Sequence, residues 1–166
     1  VIGLIAEGVR DGAAARAASD ALFADKQGKV ISTLNIASVD LHTNTIVLTR
    51  NNPSPVFICR GEQIDAHTEE SVPLGTSRNV RPVITELNIE ADLTVVIFSD
   101  GISHSGERRG TPMDIRQTIR SMMDDQDPSP QELADTLLAE AVRLDDNRPA
   151  DDISVLVLRV SPRTGD

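Results

Sequence analysis

Apolar residues in this chain collect in short unbroken runs rather than in long alternating stretches. Val1-Ile2-Gly3-Leu4-Ile5-Ala6 stops at Glu7-Gly8, and Leu93-Thr94-Val95-Val96-Ile97-Phe98 stops at Ser99-Asp100-Gly101. Ile153-Ser154-Val155-Leu156-Val157-Leu158 instead begins just after Asp151-Asp152. Runs of this length without alternation predict strands buried on both faces. A third run antiparallel to the other two would bring all these carboxylates to one sheet edge. Carboxylates crowded there are costly unless a cation or basic groups neutralise them. The pattern points to a site for a hard metal ion, Mg2+ or Mn2+.

Between these runs the pattern changes period. The Ala-rich stretch 13–23 predicts a helix, because alanine is the strongest helix former, with Asp11 as the cap of its first turn. Residues 30–40 and 45–49 read as a hairpin across His42-Thr43-Asn44, and 56–59 with 63–65 as a second one around Arg60-Gly61-Glu62. Residues 83–89 and 93–98 are further strands, and Asn51-Asn52-Pro53-Ser54-Pro55 is a loop. Helical spacing returns over 112–123. It is clearest after Ser129-Pro130-Gln131-Glu132, where Ser caps, Pro takes the first helical position and Glu the third. Leu133, Leu137, Leu138, Ala141, Val142 and Leu144 then form a core-facing stripe, and Pro149 forbids the helix from continuing. Helices grouped at the ends of an antiparallel meander define an α+β layered fold.

With 166 residues and 39% hydrophobic composition, the chain suits one packed domain, taken as residues 1–160, followed by a polar tail at 161–166. The 26 acidic against 16 basic residues give a net charge of −10, which excludes a nucleic-acid or anionic-membrane surface. No apolar run approaches the ~20 residues of a membrane span. Cys59 is the only cysteine, so it forms no intrachain disulfide, and its apolar neighbours make it core filler. Without a signal-peptide pattern, the expected location is the cytoplasm. His42, His67 and His104 fall in polar stretches without mutual spacing and read as surface residues; His104 stands out only for following Asp100 by four positions. The chain begins at Val1 inside an apolar run and reads as a segment of something longer, truncated at its N-terminus.

Five landmarks in order resemble the metal-dependent protein phosphatases of the PP2C-like superfamily, in particular the bacterial SpoIIE-like branch. Phe98-Ser99-Asp100-Gly101-Ile102 is similar to the family's Thr-Asp-Gly strand end, and Asp151-Asp152-Ile153-Ser154 to its closing Asp-Asp/Asn-x-Thr/Ser. Asn51-Asn52-Pro53-Ser54-Pro55 resembles its Asn-Ala-Gly-His-x-Pro turn, Val72-Pro73-Leu74-Gly75 its Pro-Leu-Gly segment, and Glu7-Gly8 stands where an Asp-Gly opens its first turn. The resemblance implies a sandwich of two antiparallel β-sheets flanked by helices, with two Mn2+ or Mg2+ ions at one sheet edge. It implies Glu7, the Gly8 carbonyl, Asp100 and Asp151 as metal ligands, with Asp152, Arg10 and Asp11 in secondary roles. A water acidified between the ions would attack the phosphorus in line, so no side chain serves as nucleophile. The implied substrate is phosphoserine or phosphothreonine on a regulatory protein such as an anti-sigma-factor antagonist, with a sensor domain upstream.

The chain also departs from that pattern. Glu7 replaces Asp, and its extra methylene moves the carboxylate by about 1.5 Å. Arg10-Asp11 stands where Gly and His or Asn are expected, and Arg10 could offset local acidity or bind substrate phosphate. The family's earliest acidic motif would precede Val1, and the stretch before Val30 has room for one helix where the family has two. These departures support a second reading, a degenerate phosphatase fold acting as a binding or regulatory module. A third is an unrelated α+β domain whose acidic edge is coincidence.

Overall fold

The computed structural model describes residues 1–125 and 127–161; the expected polar tail lies outside the described residues from 162 onward. In chain order the elements are α1 (Ile2–Ala6), α2 (Asp11–Lys26), β1 (Leu34–Asp40), β2 (Thr45–Asn51), β3 (Val56–Arg60), β4 (Gln63–His67), β5 (Val83–Asn88), β6 (Thr94–Phe98), α3 (Asp100–Ser103), a 3-10 turn (Glu107–Arg109), α4 (Ile115–Asp125), α5 (Pro130–Leu144) and β7 (Val155–Arg159). They divide into two compact units, Val1–Pro53 with Glu69–Ile89, and Ser54–Thr68 with Glu90–Asp166. Each unit carries one antiparallel sheet, so the α+β class and the two sheets follow the sequence expectation.

The first unit has the sheet order β1-β2-β5. Asp40 pairs with Thr45 across the expected hairpin, and its Oδ1 accepts the N–H groups of His42 and Thr43 at 2.8 and 3.2 Å, closing the turn. Ile46, Leu48 and Leu87 are buried, and α2 buries Ala14, Ala15 and Ser19. The α2 cap differs from expectation. Arg10 holds the extended N-cap position and Asp11 is the first helical residue, where the helix dipole favours a carboxylate. Residues 30–33 also lie outside β1, because this segment makes only an isolated pair of backbone bonds, Ser32 to Leu74.

Residues 1–6 require a larger correction, since they form a helix and not a strand. A short apolar run carries no period that separates the two states. What decides is the stop signal. Gly8 takes φ +80°, its N–H donates to Ile5 O at 2.9 Å, and the Val9 N–H reaches Leu4 O at 3.0 Å. This pair of bonds is the Schellman ending of a helix, with glycine in its left-handed position. Glu7 is therefore a helix C-cap rather than a strand end. None of the α1 residues is buried, and Ile2 is 86% exposed.

The Asn51-Asn52 landmark has a structural role in this unit. Arg50, only 3% exposed, donates to Glu69 O at 2.6 Å and pairs with the Glu69 carboxylate at 3.2 Å. Ser71 Oγ donates to Arg50 O at 2.8 Å and accepts the Asn52 N–H at 3.2 Å, while Asn51 Nδ2 donates to Val72 O at 2.9 Å. Burial alone would lower the Arg50 pKa; the Glu69 charge partly restores it.

The second unit has the order β4-β3-β6-β7. Phe57 and Cys59 of β3, Ile64 of β4, and Val96 and Phe98 of β6 join the core formed by α4 and α5. Leu133, Leu137 and Ala141 form the buried stripe predicted for α5, and Ile115 and Ile119 supply that of α4. Val95 and Ile97 are buried as well, so β6 is covered on both faces as its unbroken apolar run predicts. Cys59 is fully buried, and burial pushes its thiol up to about 11, which suits filler and not a nucleophile.

Capping sets the helix starts. Ser129 Oγ accepts the Glu132 N–H at 3.2 Å and Glu132 accepts the Ser129 N–H at 2.7 Å, the full capping box. The α4 helix begins at Ile115 rather than near Pro112, because Asp114 Oδ1 accepts the Gln117 N–H at 2.9 Å and acts as the cap.

Candidate functional site

The β6 and β7 strands are antiparallel neighbours, with Phe98 opposite Val155. The segment leaving β6 and the segment entering β7 therefore lie side by side. Ser99 joins them three times. Its N–H donates to Ser154 O at 3.0 Å, its Oγ donates to Asp152 O at 2.9 Å, and the Ser154 N–H donates back to Ser99 Oγ at 3.0 Å. Gly101 completes the fit. A Cβ there would lie 2.5 Å from Asp152 O and 2.9 Å from Ile153 Cγ2, so no side chain can be added without moving backbone.

The consequence is that Asp100, first residue of α3, and Asp151 line one cleft of about 240 Å³. Gly101, His104, Glu107, Arg108 and Ala150 complete it. Ile102 is fully buried, and Ser54 Oγ meets Ser103 Oγ at 2.6 Å, so α3 is held from below. Asp151 Oδ1 accepts the Asp152 N–H at 2.8 Å, which orients its carboxylate. Asp152 is exposed beside the cleft, and its backbone oxygen, not its carboxylate, makes the contact with Ser99.

Glu7, Gly8, Arg10 and Asp11 belong to the first unit. There Arg10 and Asp11 line a separate cleft with Asp40, Thr49, Ile84 and Glu86. Glu107 and Arg108 were not singled out from sequence, because nothing local marks an Arg-rich turn as cleft wall. His104, expected on the surface, is exposed and also lines the cleft, its Nδ1 paired with Glu107 at 3.0 Å.

Two aspartates at an open edge are the donor type that Mg2+ or Mn2+ selects, since these hard cations take one or two carboxylates and keep several waters. Among the described residues no group of three His, Cys, Asp or Glu side chains is gathered to hold an ion. The donor chemistry of these two carboxylates fits a divalent cation.

The fold is that of PP2C-type protein phosphatase domains. It is similar to the PP2C phosphatase domain solved with a fragment of the regulatory domain of the cell fate determinant SpoIIE from Bacillus subtilis, at TM-score 0.78 and 22% identity, covering 95% of this chain and 46% of that one. It is also similar to the Mycobacterium tuberculosis serine/threonine phosphatase PstP/Ppp, at TM-score 0.66 and 19% identity, over 90% of this chain and 71% of that one. The catalytic domain of PstP has been solved in complex with 2 manganese ions.

The family model for stage II sporulation protein E (SpoIIE) matches residues 3–161, and the chain belongs to that family. The stage II sporulation protein E of Bacillus subtilis (strain 168) is 26% identical over 136 residues, 82% of this chain and 16% of that protein. The Priestia megaterium protein is 22% identical over 162 residues, 97% of this chain and 27% of that protein. The chain spans about a sixth to a quarter of the length of these curated relatives.

Proposed function

We propose that this chain is a metal-dependent protein serine/threonine phosphatase domain acting on phosphoserine or phosphothreonine of a bacterial regulatory protein, such as an anti-sigma-factor antagonist. The observation that carries the reading is the shared cleft of Asp100 and Asp151 at the ends of two antiparallel strands. Membership of the SpoIIE family and the PP2C-type fold support it. In this reading Asp100 and Asp151, with Glu7 and the Gly8 carbonyl, hold two Mn2+ or Mg2+ ions, and Asp152 stands beside them. Such ions supply a more acidic water and positive charge for the phosphoryl oxygens. The chain's part is positional. Ser99 and Gly101 keep the two aspartates at fixed spacing, so the negative edge is preorganised before any ligand arrives.

The work is assigned to the cytoplasm, under a regulatory domain upstream; no described helix is long and apolar enough to cross a membrane. One observation favours the second reading, a binding module without catalysis. The backbone N–H groups of Glu7 and Gly8 are taken up in ending α1, and the Glu7 side chain is one methylene longer than that of the expected aspartate.

Hydrolysis of a phosphoserine peptide with and without Mn2+ tests the proposal. Mn2+-dependent turnover lost in Asp100→Asn and in Asp151→Asn is expected. Turnover at the wild-type rate in either variant would remove these acids from the site. A gain of activity in Glu7→Asp would identify position 7 as the weak ligand; Mn2+ binding with no turnover would support the module.

A further inference from the structure

We infer that Arg108 is the substrate-phosphate receptor of the cleft, binding the phosphate of a phosphorylated serine or threonine side chain; this rests on the phosphatase reading. Three carboxylates, Asp100, Glu107 and Asp151, line the cleft, and a phosphate monoester approaching it needs positive charge beyond whatever a bound cation supplies. The Arg108 guanidinium is the one permanent cation among the described lining residues. Its planar fork matches phosphate oxygens two at a time, which a point charge such as an ammonium does not.

The neighbouring charges are already committed. Arg109 pairs with Asp146 at 2.9 Å, and Glu107 pairs with His104 at 3.0 Å. Arg108 makes no ion pair with a described residue, although it shares a cleft with two aspartates. It is held near them without being neutralised by them.

The turn that carries Arg108 is anchored from both sides. Asp145, buried at the end of α5, accepts the Gly106 N–H at 2.9 Å. Gly106 O accepts the N–H groups of Arg109 and Thr111 at 3.0 and 3.1 Å, and Ser105 O accepts that of Met113 at 3.1 Å. These bonds fix the backbone from which the exposed Arg108 side chain reaches the cleft, and a turn already ordered loses less freedom on binding.

The test uses the full chain with Mn2+, a phosphoserine peptide and its unphosphorylated twin. Arg108→Ala is expected to raise KM for the phosphopeptide about tenfold with kcat within about threefold, the loss of one charge-assisted contact. Arg108→Lys should fall between, and Mn2+ binding by calorimetry should stay at the wild-type level. An unchanged KM in Arg108→Ala overturns the inference while leaving the phosphatase reading in place. If the wild type binds but does not hydrolyse the peptide, fluorescence anisotropy with a labelled phosphopeptide decides. About tenfold weaker binding in Arg108→Ala then upholds the inference although catalysis has failed. Equal binding in the two proteins, or no preference of the wild type for the phosphorylated peptide, overturns it.

Discussion

Ser99 Oγ donates to the backbone oxygen of Asp152 at 2.9 Å, a bond that spans 53 residues of sequence and fixes the acidic loop against the Asp-Gly turn. Ser99 Oγ in turn accepts the Ser154 N–H at 3.0 Å. The serine between β6 and Asp100 thus fastens the candidate site, adding to the β6–β7 pairing that brings Asp100 and Asp151 to one cleft.

Replacing it should loosen both loops. Ser99→Ala removes two hydrogen bonds at a partly solvated position and is expected to cost about 1–2 kcal/mol in urea unfolding. Ser99→Thr keeps the hydroxyl and should retain most of that stability. A wild-type midpoint in Ser99→Ala would show that the backbone ladder alone holds the loops.

Gly101→Ala places a methyl group 2.5 Å from Asp152 O. The contact is with backbone, which cannot swing aside, so about 1–3 kcal/mol of destabilisation is expected. For a chain of this size that lowers Tm by several degrees. The displaced Asp152 segment should also weaken Mn2+ binding, readable by calorimetry.

Divalent cation should stabilise the wild type. At a hundredfold excess over Kd the gain is about 2.7 kcal/mol, or roughly 5–10 °C in Tm for this chain length. EDTA should abolish the shift. Asp100→Asn and Asp151→Asn should each lose most of it while unfolding normally in the absence of metal. A full shift in either variant would place the ion elsewhere.

The α5 cap gives a pH dependence. Hydrogen bonds from the Ser129 N–H and hydroxyl hold the Glu132 carboxyl below its ordinary value of 4.5. Because the folded pKa is the lower one, the stabilisation is present above pH 4.5 and is lost as pH falls through the folded value. Glu132→Gln should therefore flatten the acid limb of stability measured from pH 6 to pH 3. An unchanged limb would show that other carboxylates govern it.

Features set by neighbours along the chain were legible without coordinates. Ser129-Pro130-Gln131-Glu132 announced α5 because capping is a contact between residues three apart. The run before Asp100 announced β6 because a strand covered on both faces needs no polar position. The same rule misread residues 1–6, where five apolar positions suit helix and strand equally and only the Gly8 backbone chose.

The acids themselves, Asp100 and Asp151, were marked by their place beside apolar runs. What put them in one cleft was the pairing of Phe98 with Val155 and the reach of Ser99 across it, contacts between distant segments that leave no local trace. Arg108 entered the cleft for the same reason, carried there by a turn that Asp145 anchors from the far end of α5. Sequence alone determined which residues could do chemistry, through charge and hydrophobic pattern. Tertiary structure decided which of them meet, because strand pairing and buried hydrogen bonds act across the fold and not along the chain.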